Sequence, residues 1–261
     1  DDLRQACEQH RVRELKGFAA KTEQVILDGL EIAEAASVRL RIDQAERLVT
    51  RLREHLETCK DIYALEFAGS YRRGKETVGD IDVLVTSPSA EEVMDHFGGF
   101  PGLVSEIARG DTKMSIRVDE QFQVDLRVVA PESFGAALQY FTGSKEHNVA
   151  VRSRARKMGL TVNEYGVAKL DNPEQYIAGR TEADVYRALG LEWIPPELRE
   201  GRRELQWFED EEAYPDLIEL SDIQSDLHMH THDSDGTCSL EEMVAAARRR
   251  GLKFIAITDH S

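Results

Sequence analysis

Gly69-Ser70-Tyr71-Arg72-Arg73-Gly74, followed closely by Gly79-Asp80-Ile81-Asp82-Val83-Leu84-Val85, decides the fold. The second run alternates as a strand does. Residues two apart face the same side, so Asp80 and Asp82 project together while Ile81, Val83 and Val85 point to a core. Two carboxylates this close repel, and one has its pKa raised unless a cation sits between them. Residues 121–129 repeat the logic, with Val124, Leu126 and Val128 facing in and Asp125 facing out beside Arg127. Three acidic oxygen donors on adjacent strands suit a pair of Mg2+ ions, hard cations that take carboxylates together with substrate phosphates. Such a pair can polarise an attacking hydroxyl and stabilise a leaving pyrophosphate. Upstream, Gly69-Ser70 lets backbone approach a triphosphate, and Arg73 adds a charge-assisted donor. A lone D-x-D at a strand start is most often a turn or cap. The Gly-Ser turn, the arginine and the third aspartate together make it a site.

Outward from this centre, apolar spacing predicts helices over Thr22–Ala36 and Asp43–Glu57. Strands are expected at 62–68, 80–86, 113–118 and 121–129, with a capped helix from Ser89 through Phe97. Residues 131–158 read as helical, and Thr161–Lys169 as a hairpin turning at Asn163–Gly166. Ser225–Met229 and Phe254–Thr258 read as strands around a helix that Ser239 caps, the opening of a βαβ unit and a parallel sheet. The chain stops on that second strand, so 225–261 reads as the start of a truncated domain.

The 261 residues carry 33 Lys+Arg against 49 Asp+Glu, a formal charge of −16, with 41% hydrophobic residues. That composition excludes a disordered or collagenous chain, and no apolar run reaches the roughly 18–20 residues of a membrane span. No secretory leader is expected at the N-terminus, and three cysteines suggest a reduced, cytoplasmic setting. Net acidity argues against nucleic acid, but the charge is uneven. Glu197–Asp226 holds eleven acidic residues against three arginines, a net of −8, and reads as a solvated connector. Lys145–Lys157 carries a net of +4.

These motifs resemble the palm signature of the family X DNA polymerases. The likeness continues through Tyr140-Phe141-Thr142-Gly143-Ser144, Asn148, Arg152 and Thr161-Val162-Asn163-Glu164-Tyr165, and covers most of residues 1–200. It implies an α+β fold: a nucleotidyltransferase palm sheet (59–130) with helical fingers (1–58, N-terminally truncated) and a mixed thumb (131–196). An acidic linker (197–224) would follow. By resemblance, Asp80, Asp82 and Asp125 are catalytic ligands of two Mg2+ or Mn2+ ions. Ser70, Arg73, Gly79 and Arg39 resemble triphosphate contacts, with Gly143 also in the nucleotide site. Tyr140 and Phe141 resemble the residues against the sugar, Tyr140 as a steric gate against ribonucleotides. Asn148 and Arg152 resemble groove-side contacts to nucleotide and template. Leu15–Lys21 resembles a helix-hairpin-helix, with Gly17, Ala19 and Lys21 meeting DNA backbone beside Lys145, Arg152 and Arg156. Ala19 stands where the family usually has a second glycine, and Gln123 where a relative has arginine.

Asp226-Leu227-His228-Met229-His230 puts two imidazoles on one strand face, with Asp235 and His260 following. Histidines at strand ends of a βαβ array suit Zn2+, Mn2+ or Fe. The segment resembles the opening of a PHP domain, a multi-metal phosphoesterase associated with 3′–5′ exonuclease activity. His228, His230, Asp235 and His260 would be its first ligands for Zn2+ or Mn2+. The expectation is a bacterial, nucleoid-associated and monomeric enzyme filling gapped or primed DNA with dNTPs in base excision repair. No exonuclease is expected from these residues alone. Two alternatives stand beside it: a nucleotidyltransferase acting on a small molecule or RNA end, and a DNA-binding scaffold with decayed catalysis.

Overall fold

A computed structural model of the chain describes residues 2–15, 17–27, 38–119, 121–210 and 214–261. It divides into two compact units, Asp1–Glu212 and Ala213–Ser261.

The first unit opens on helix α1 (Asp2–Glu8) and a 3-10 turn at Val12–Glu14. Helix α2 covers residues 20–27, and the remainder of the helix expected to Ala36 lies outside the described residues. A short strand, β1 (Leu40–Arg41), leads into α3 (Ile42–Leu56). Ala45, Leu48, Val49, Leu52 and Leu56 recur at helical spacing along α3 and are buried. Then come β2 (Ala64–Phe67), α4 (Gly69–Arg72), β3 (Thr77–Val78) and β4 (Asp80–Thr86). Next are α5 (Ala90–Gly98), β5 (Leu103–Arg109), β6 (Lys113–Val118) and β7 (Phe122–Val128). Ser89 caps α5 by accepting from the Glu92 amide.

Five strands form one sheet in the order β2-β4-β7-β6-β5. β4 and β7 run parallel, and the other neighbours are antiparallel. Ile81, Val83 and Val85 of β4 and Val124 and Leu126 of β7 pack with Leu52, Leu56, Val93 and Phe97 of α3 and α5 in the main core. On the opposite face of β4, Leu84 packs with Ala68, Ala137 and Leu138. The central strand is therefore covered on both sides beyond Asp82, and only its first residues open toward solvent.

The single helical stretch expected over 131–158 is in fact two helices, α6 (Phe134–Thr142) and α7 (Lys145–Lys157). Gly143, at φ 69°, takes a backbone conformation that a helix cannot continue through. Ser144 restarts the chain as N-cap, accepting from the His147 amide at 3.2 Å. The hairpin β8 (Leu160–Asn163) and β9 (Gly166–Lys169) follows, its turn closed by Asn163 Oδ1 on the Tyr165 and Gly166 amides at 2.9 and 3.1 Å. A third strand, β10 (Asn172–Ala178), extends that sheet, and α8 (Glu182–Ala188) comes next.

The solvated connector expected from Glu197 needs correction in its first half. Helix α9 (Glu204–Glu209) lies there, Arg199 is 0% exposed and Glu204 is 1% exposed. Each is paired: Arg199 with Glu182, Glu204 with His147. A count of charges cannot tell a solvated carboxylate from one paired inside the fold.

The second unit contains β11 (Ser225–Met229), α10 (Leu240–Arg249) and β12 (Phe254–Ile257), with β11 and β12 parallel. Ser239 and Glu242 close a reciprocal capping box on α10, as the sequence predicts. Among the described residues no helix is long and apolar enough to cross a membrane.

Candidate active site

The parallel register of β4 and β7 sets Asp82 opposite Asp125 and Asp80 opposite Gln123. The three carboxylates sit in unequal fields. Burial, then the neighbouring charges of Asp80 and Asp125, push Asp82 up to about 7. Asp80 is raised too, by burial and then by Asp125. Burial would also raise Asp125, but hydrogen bonds from Ser115, Gln123 and Lys113 outweigh it and hold that carboxyl below its usual value. Gln123 Nε2 donates to Asp125 Oδ1 at 2.9 Å, and Lys113 Nζ lies 3.1 Å from Oδ2. Lys113 escaped the sequence reading. Its signal was its position two residues from Ser115, the residue that pairs with Asp125 across the β6–β7 ladder.

Burial first and mutual repulsion second raise Asp80 and Asp82 even with Arg39, Arg73, Lys113 and Arg127 in the field, and a hard divalent cation would offset the remainder. The donor set therefore fits divalent metal. Gly69 shapes the other wall, since at φ 66° a Cβ there would stand 2.9 Å from Asp82 Oδ2. No side chain fits between the turn and the carboxylate.

Asp80, Asp82, Ser70, Arg73, Tyr140, Phe141, Gly143, Lys145, Asn148 and Arg152 line one cavity of about 610 Å3. Most of the residues expected in the nucleotide site thus come together. Arg39 and Gly79 lie to one side: Arg39 donates to Thr77 Oγ1 and to the Thr77 carbonyl at 3.0 and 2.7 Å, and its Nη1 fills the space a Cβ on Gly79 would take. Arg39 and Arg73 line a neighbouring cavity of about 570 Å3. Arg73 donates through Nη1 to the Thr142 carbonyl at 2.5 Å and through Nε to Glu200 at 2.9 Å. Glu200, which the sequence reading left in the connector, also stands 3.4 Å from Lys75 Nζ. The Tyr140 and Phe141 rings meet edge to face at 5.1 Å, and the Arg127 guanidinium lies 4.3 Å from the centre of the Phe141 ring.

Along α7, Lys145 and Arg156 are exposed and Arg152 is half-buried at the cavity. Arg154 departs from the expected basic strip. Its Nε donates to the Leu189 carbonyl at 2.9 Å and its guanidinium lies 5.5 Å from the Phe208 ring centre. At the N-terminal hairpin Gly17, Ala19 and Lys21 are exposed, and the Ala19 carbonyl accepts the Thr22 and Glu23 amides at 2.8 and 3.1 Å to start α2.

In the second unit His230, Asp235 and His260 offer ligand atoms that all lie within 4.8 Å of one another. Asp235 approaches His230 Nδ1 at 3.4 Å and His260 Nε2 at 3.5 Å. His230 Nδ1 is buried without a hydrogen-bond partner, a nitrogen that a metal would satisfy. The His228 ring lies 4.9 Å from that of His230 but stands outside the three-residue group. Asp259, unmarked by the sequence reading, fastens the loop by accepting from the Thr231 amide and Ser234 Oγ, both at 2.6 Å.

A sheet with paired aspartates on adjacent parallel strands, a Gly-Ser turn against them and a helical subdomain closing the cavity defines a nucleotidyltransferase palm with its thumb. Comparison with known proteins agrees. Family models match for the DNA polymerase beta palm over residues 39–121, the DNA polymerase beta thumb over 137–200 and the PHP domain over 226–261. The chain is 39% identical over 263 residues to the DNA polymerase/3'-5' exonuclease PolX of Bacillus subtilis (strain 168), covering 100% of this chain and 45% of that protein. It is 27% identical over 216 residues to DNA polymerase lambda of Rattus norvegicus, covering 72% of this chain and 38% of that one. An 80-residue stretch is 41% identical to human DNA-directed DNA/RNA polymerase mu, covering 30% of this chain and 16% of that protein. The chain spans less than half the length of each of these relatives. It belongs to the family X DNA polymerases, with a beta-type palm and thumb followed by a PHP segment.

Proposed function

We propose that the protein is a DNA-directed DNA polymerase that adds dNTPs to a primer 3′-hydroxyl and fills gaps in base excision repair. The carrying observation is the in-register pair Asp82 and Asp125, with Asp82 pushed up to about 7 by burial and by its acidic neighbours, beside a cavity that also holds Arg73, Tyr140 and Asn148. Asp80, Asp82 and Asp125 would hold two Mg2+ or Mn2+ ions, which when bound polarise the attacking hydroxyl and offset charge on the leaving pyrophosphate. Ser70, Arg73, Gly79 and Arg39 bind the triphosphate, with Arg73 Nη2 left for a phosphate oxygen once Nε and Nη1 are committed. Tyr140 and Phe141 lie against the sugar, and Tyr140 excludes a 2′-hydroxyl by contact. Asn148 and Arg152 meet the base edge and template. Lys145, Arg152, Arg156 and the hairpin at Gly17, Ala19 and Lys21 follow DNA phosphates.

In the whole protein, His228, His230, Asp235 and His260 belong to a Zn2+ or Mn2+ site of a PHP-domain 3′–5′ exonuclease. The enzyme acts as a monomer on gapped or primed DNA in the bacterial cytoplasm, at the nucleoid. Primer extension tests the reading: dNTP should be incorporated on gapped DNA in preference to rNTP and to single-stranded primer, and Asp125→Ala should reduce extension to background with an unchanged circular dichroism spectrum. Extension by Asp125→Ala at the parent rate would overturn the palm assignment. Transfer of nucleotides to RNA ends or small molecules alone would favour the other nucleotidyltransferase reading.

A further inference from the structure

Asp125 is held differently from the two carboxylates beside it. Asp80 and Asp82 line the nucleotide cavity, whose lining among the described residues does not include Asp125. Both oxygens of Asp125 already have a donor: Gln123 Nε2 on Oδ1 at 2.9 Å, and Lys113 Nζ on Oδ2 at 3.1 Å. The two donors differ in kind. Gln123 is a neutral amide on β7, two residues from the carboxylate it serves. Lys113 brings a charge across from the first residue of β6, where its partner in the ladder is Arg127.

The Lys113 side chain is 42% exposed and that of Asp125 only 11%. The ammonium therefore comes from solvent onto an almost buried oxygen, and it can return to water without stranding its own charge inside the fold. A divalent ion wants the same oxygen. Carboxylates hold Mg2+ at about 2.1 Å, so an ion on Asp125 Oδ2 would stand at most about 5 Å from the ammonium. That separation is shorter than the screening length of salt, and two cations on one nearly buried carboxylate repel. An ion held by Asp80 and Asp82 on the cavity side leaves Oδ2, and with it Lys113, in place.

We propose that Lys113 is a tethered cation that competes with divalent metal for Asp125, so that the ion reaching Asp125 binds by displacing the lysine and binds more weakly than the ion on the cavity side. The inference rests on the polymerase reading above. Lys113 is a positioning residue that acts through Asp125: it keeps the third carboxylate in place and holds it back from metal. Its charge reaches the whole donor set, opposing the rise of Asp80 and Asp82 and helping to hold Asp125 low. Gln123, a neutral donor on the other oxygen, stays where it is through the exchange.

The test is Mn2+ binding without nucleotide or DNA, read from the electron paramagnetic resonance signal of the free ion. Every chain carries His230→Ala, which removes a metal-ligating group of the second unit. The parent should take up one palm ion tightly and a second weakly, and Asp82→Asn should abolish both. Lys113→Met should tighten the second ion by a factor on the order of 10, the low end for a bond to a charged group because Lys113 is half-exposed. Lys113→Arg keeps the charge and should bind as the parent does. Thermal unfolding is followed for each, and Lys113→Gln carries the test if Lys113→Met does not fold. Two equally tight ions in the parent, or a folded Lys113→Met chain that binds the second no better, overturns the proposal; weaker binding there would mean that the lysine serves only to order Asp125. Mn2+ binding that Asp82→Asn leaves unchanged would instead overturn the palm reading beneath it.

Discussion

Glu182 is where the palm turn is fastened to the thumb. Arg72 reaches it with two nitrogens at 2.7 and 2.9 Å, Arg199 at 2.6 Å and the Trp193 indole at 3.0 Å. Burial alone would raise its pKa. The hydrogen bonds and charges of Arg72 and Arg199 overcome that and depress it to about 2, from an ordinary 4.5. A depressed carboxylate contributes stability that is present above its unfolded pKa and is lost as pH falls through its folded one. The window therefore runs from about 4.5 down to about 2, and the shift corresponds to roughly 3 kcal/mol. Glu182→Gln keeps the shape but removes the charge between the buried Arg199 guanidinium and the half-buried one of Arg72. It should cost about 3–5 kcal/mol at pH 7. Urea unfolding at pH 7, 4 and 2.5 should show the gap between parent and variant closing across that window. A gap that stays constant with pH would mean that the ion pairs contribute nothing.

Element contacts set where the cavity side chains stand, and one close contact is between α6 and the start of α8. A Cβ on Gly135 would lie 2.1 Å from the Thr181 carbonyl carbon and 2.5 Å from the Glu182 nitrogen. The Gly135 and Ala136 amides also donate to the Arg180 and Gly179 carbonyls at 3.1 and 2.8 Å. Gly135→Ala must push backbone against backbone, so a destabilisation of about 3 kcal/mol is expected, at the upper end for an overpacked site. Because α6 carries Tyr140 and Phe141, rNTP exclusion should weaken in the same variant; thermal unfolding and the dNTP/rNTP ratio would report the two effects. Normal stability would show that the two backbones part without cost. Glycine at such a crossing leaves no pattern in sequence, unlike β4 and β7, whose alternation announced both strands and their aspartates. Ser89 and Ser239 announced their helices by capping chemistry. β5 stayed hidden because every residue in it is exposed at the sheet edge, so no face selects its side chains. The break at Gly143 hid because both flanking helices are genuine. Arg199, Glu200 and Glu204 hid because an acidic run looks the same whether solvated or paired, and Lys113 because its partner is set by register.

At the scale of the whole chain, a formal charge of −16 is a poor guide to affinity for DNA. Glu182, Glu200 and Glu204 are engaged with arginines, Lys75 or His147 inside the first unit. Asp80, Asp82 and Asp125 form the donor set proposed for divalent cations. On the proposed reading, what DNA would meet on α7 is the side chains of Lys145 and Arg156, which are exposed, with Arg152 lining the cavity. Phosphate contacts register as counterion release, so each one adds about 0.9 to the slope of log Kd against log salt on duplex DNA. Arg156→Ala should flatten that slope by about 0.9 while leaving thermal stability unchanged, measured on gapped DNA between roughly 50 and 200 mM salt. Arg154→Ala, one position within the same basic run, should do the reverse: it loses its bond to the Leu189 carbonyl and its place beside Phe208, so stability falls while the slope holds. Equal slopes for parent and Arg156→Ala would take α7 out of the DNA path. A flattened slope in Arg154→Ala would mean that the whole basic run acts through its charge and that its division into phosphate contact and structural anchor is wrong.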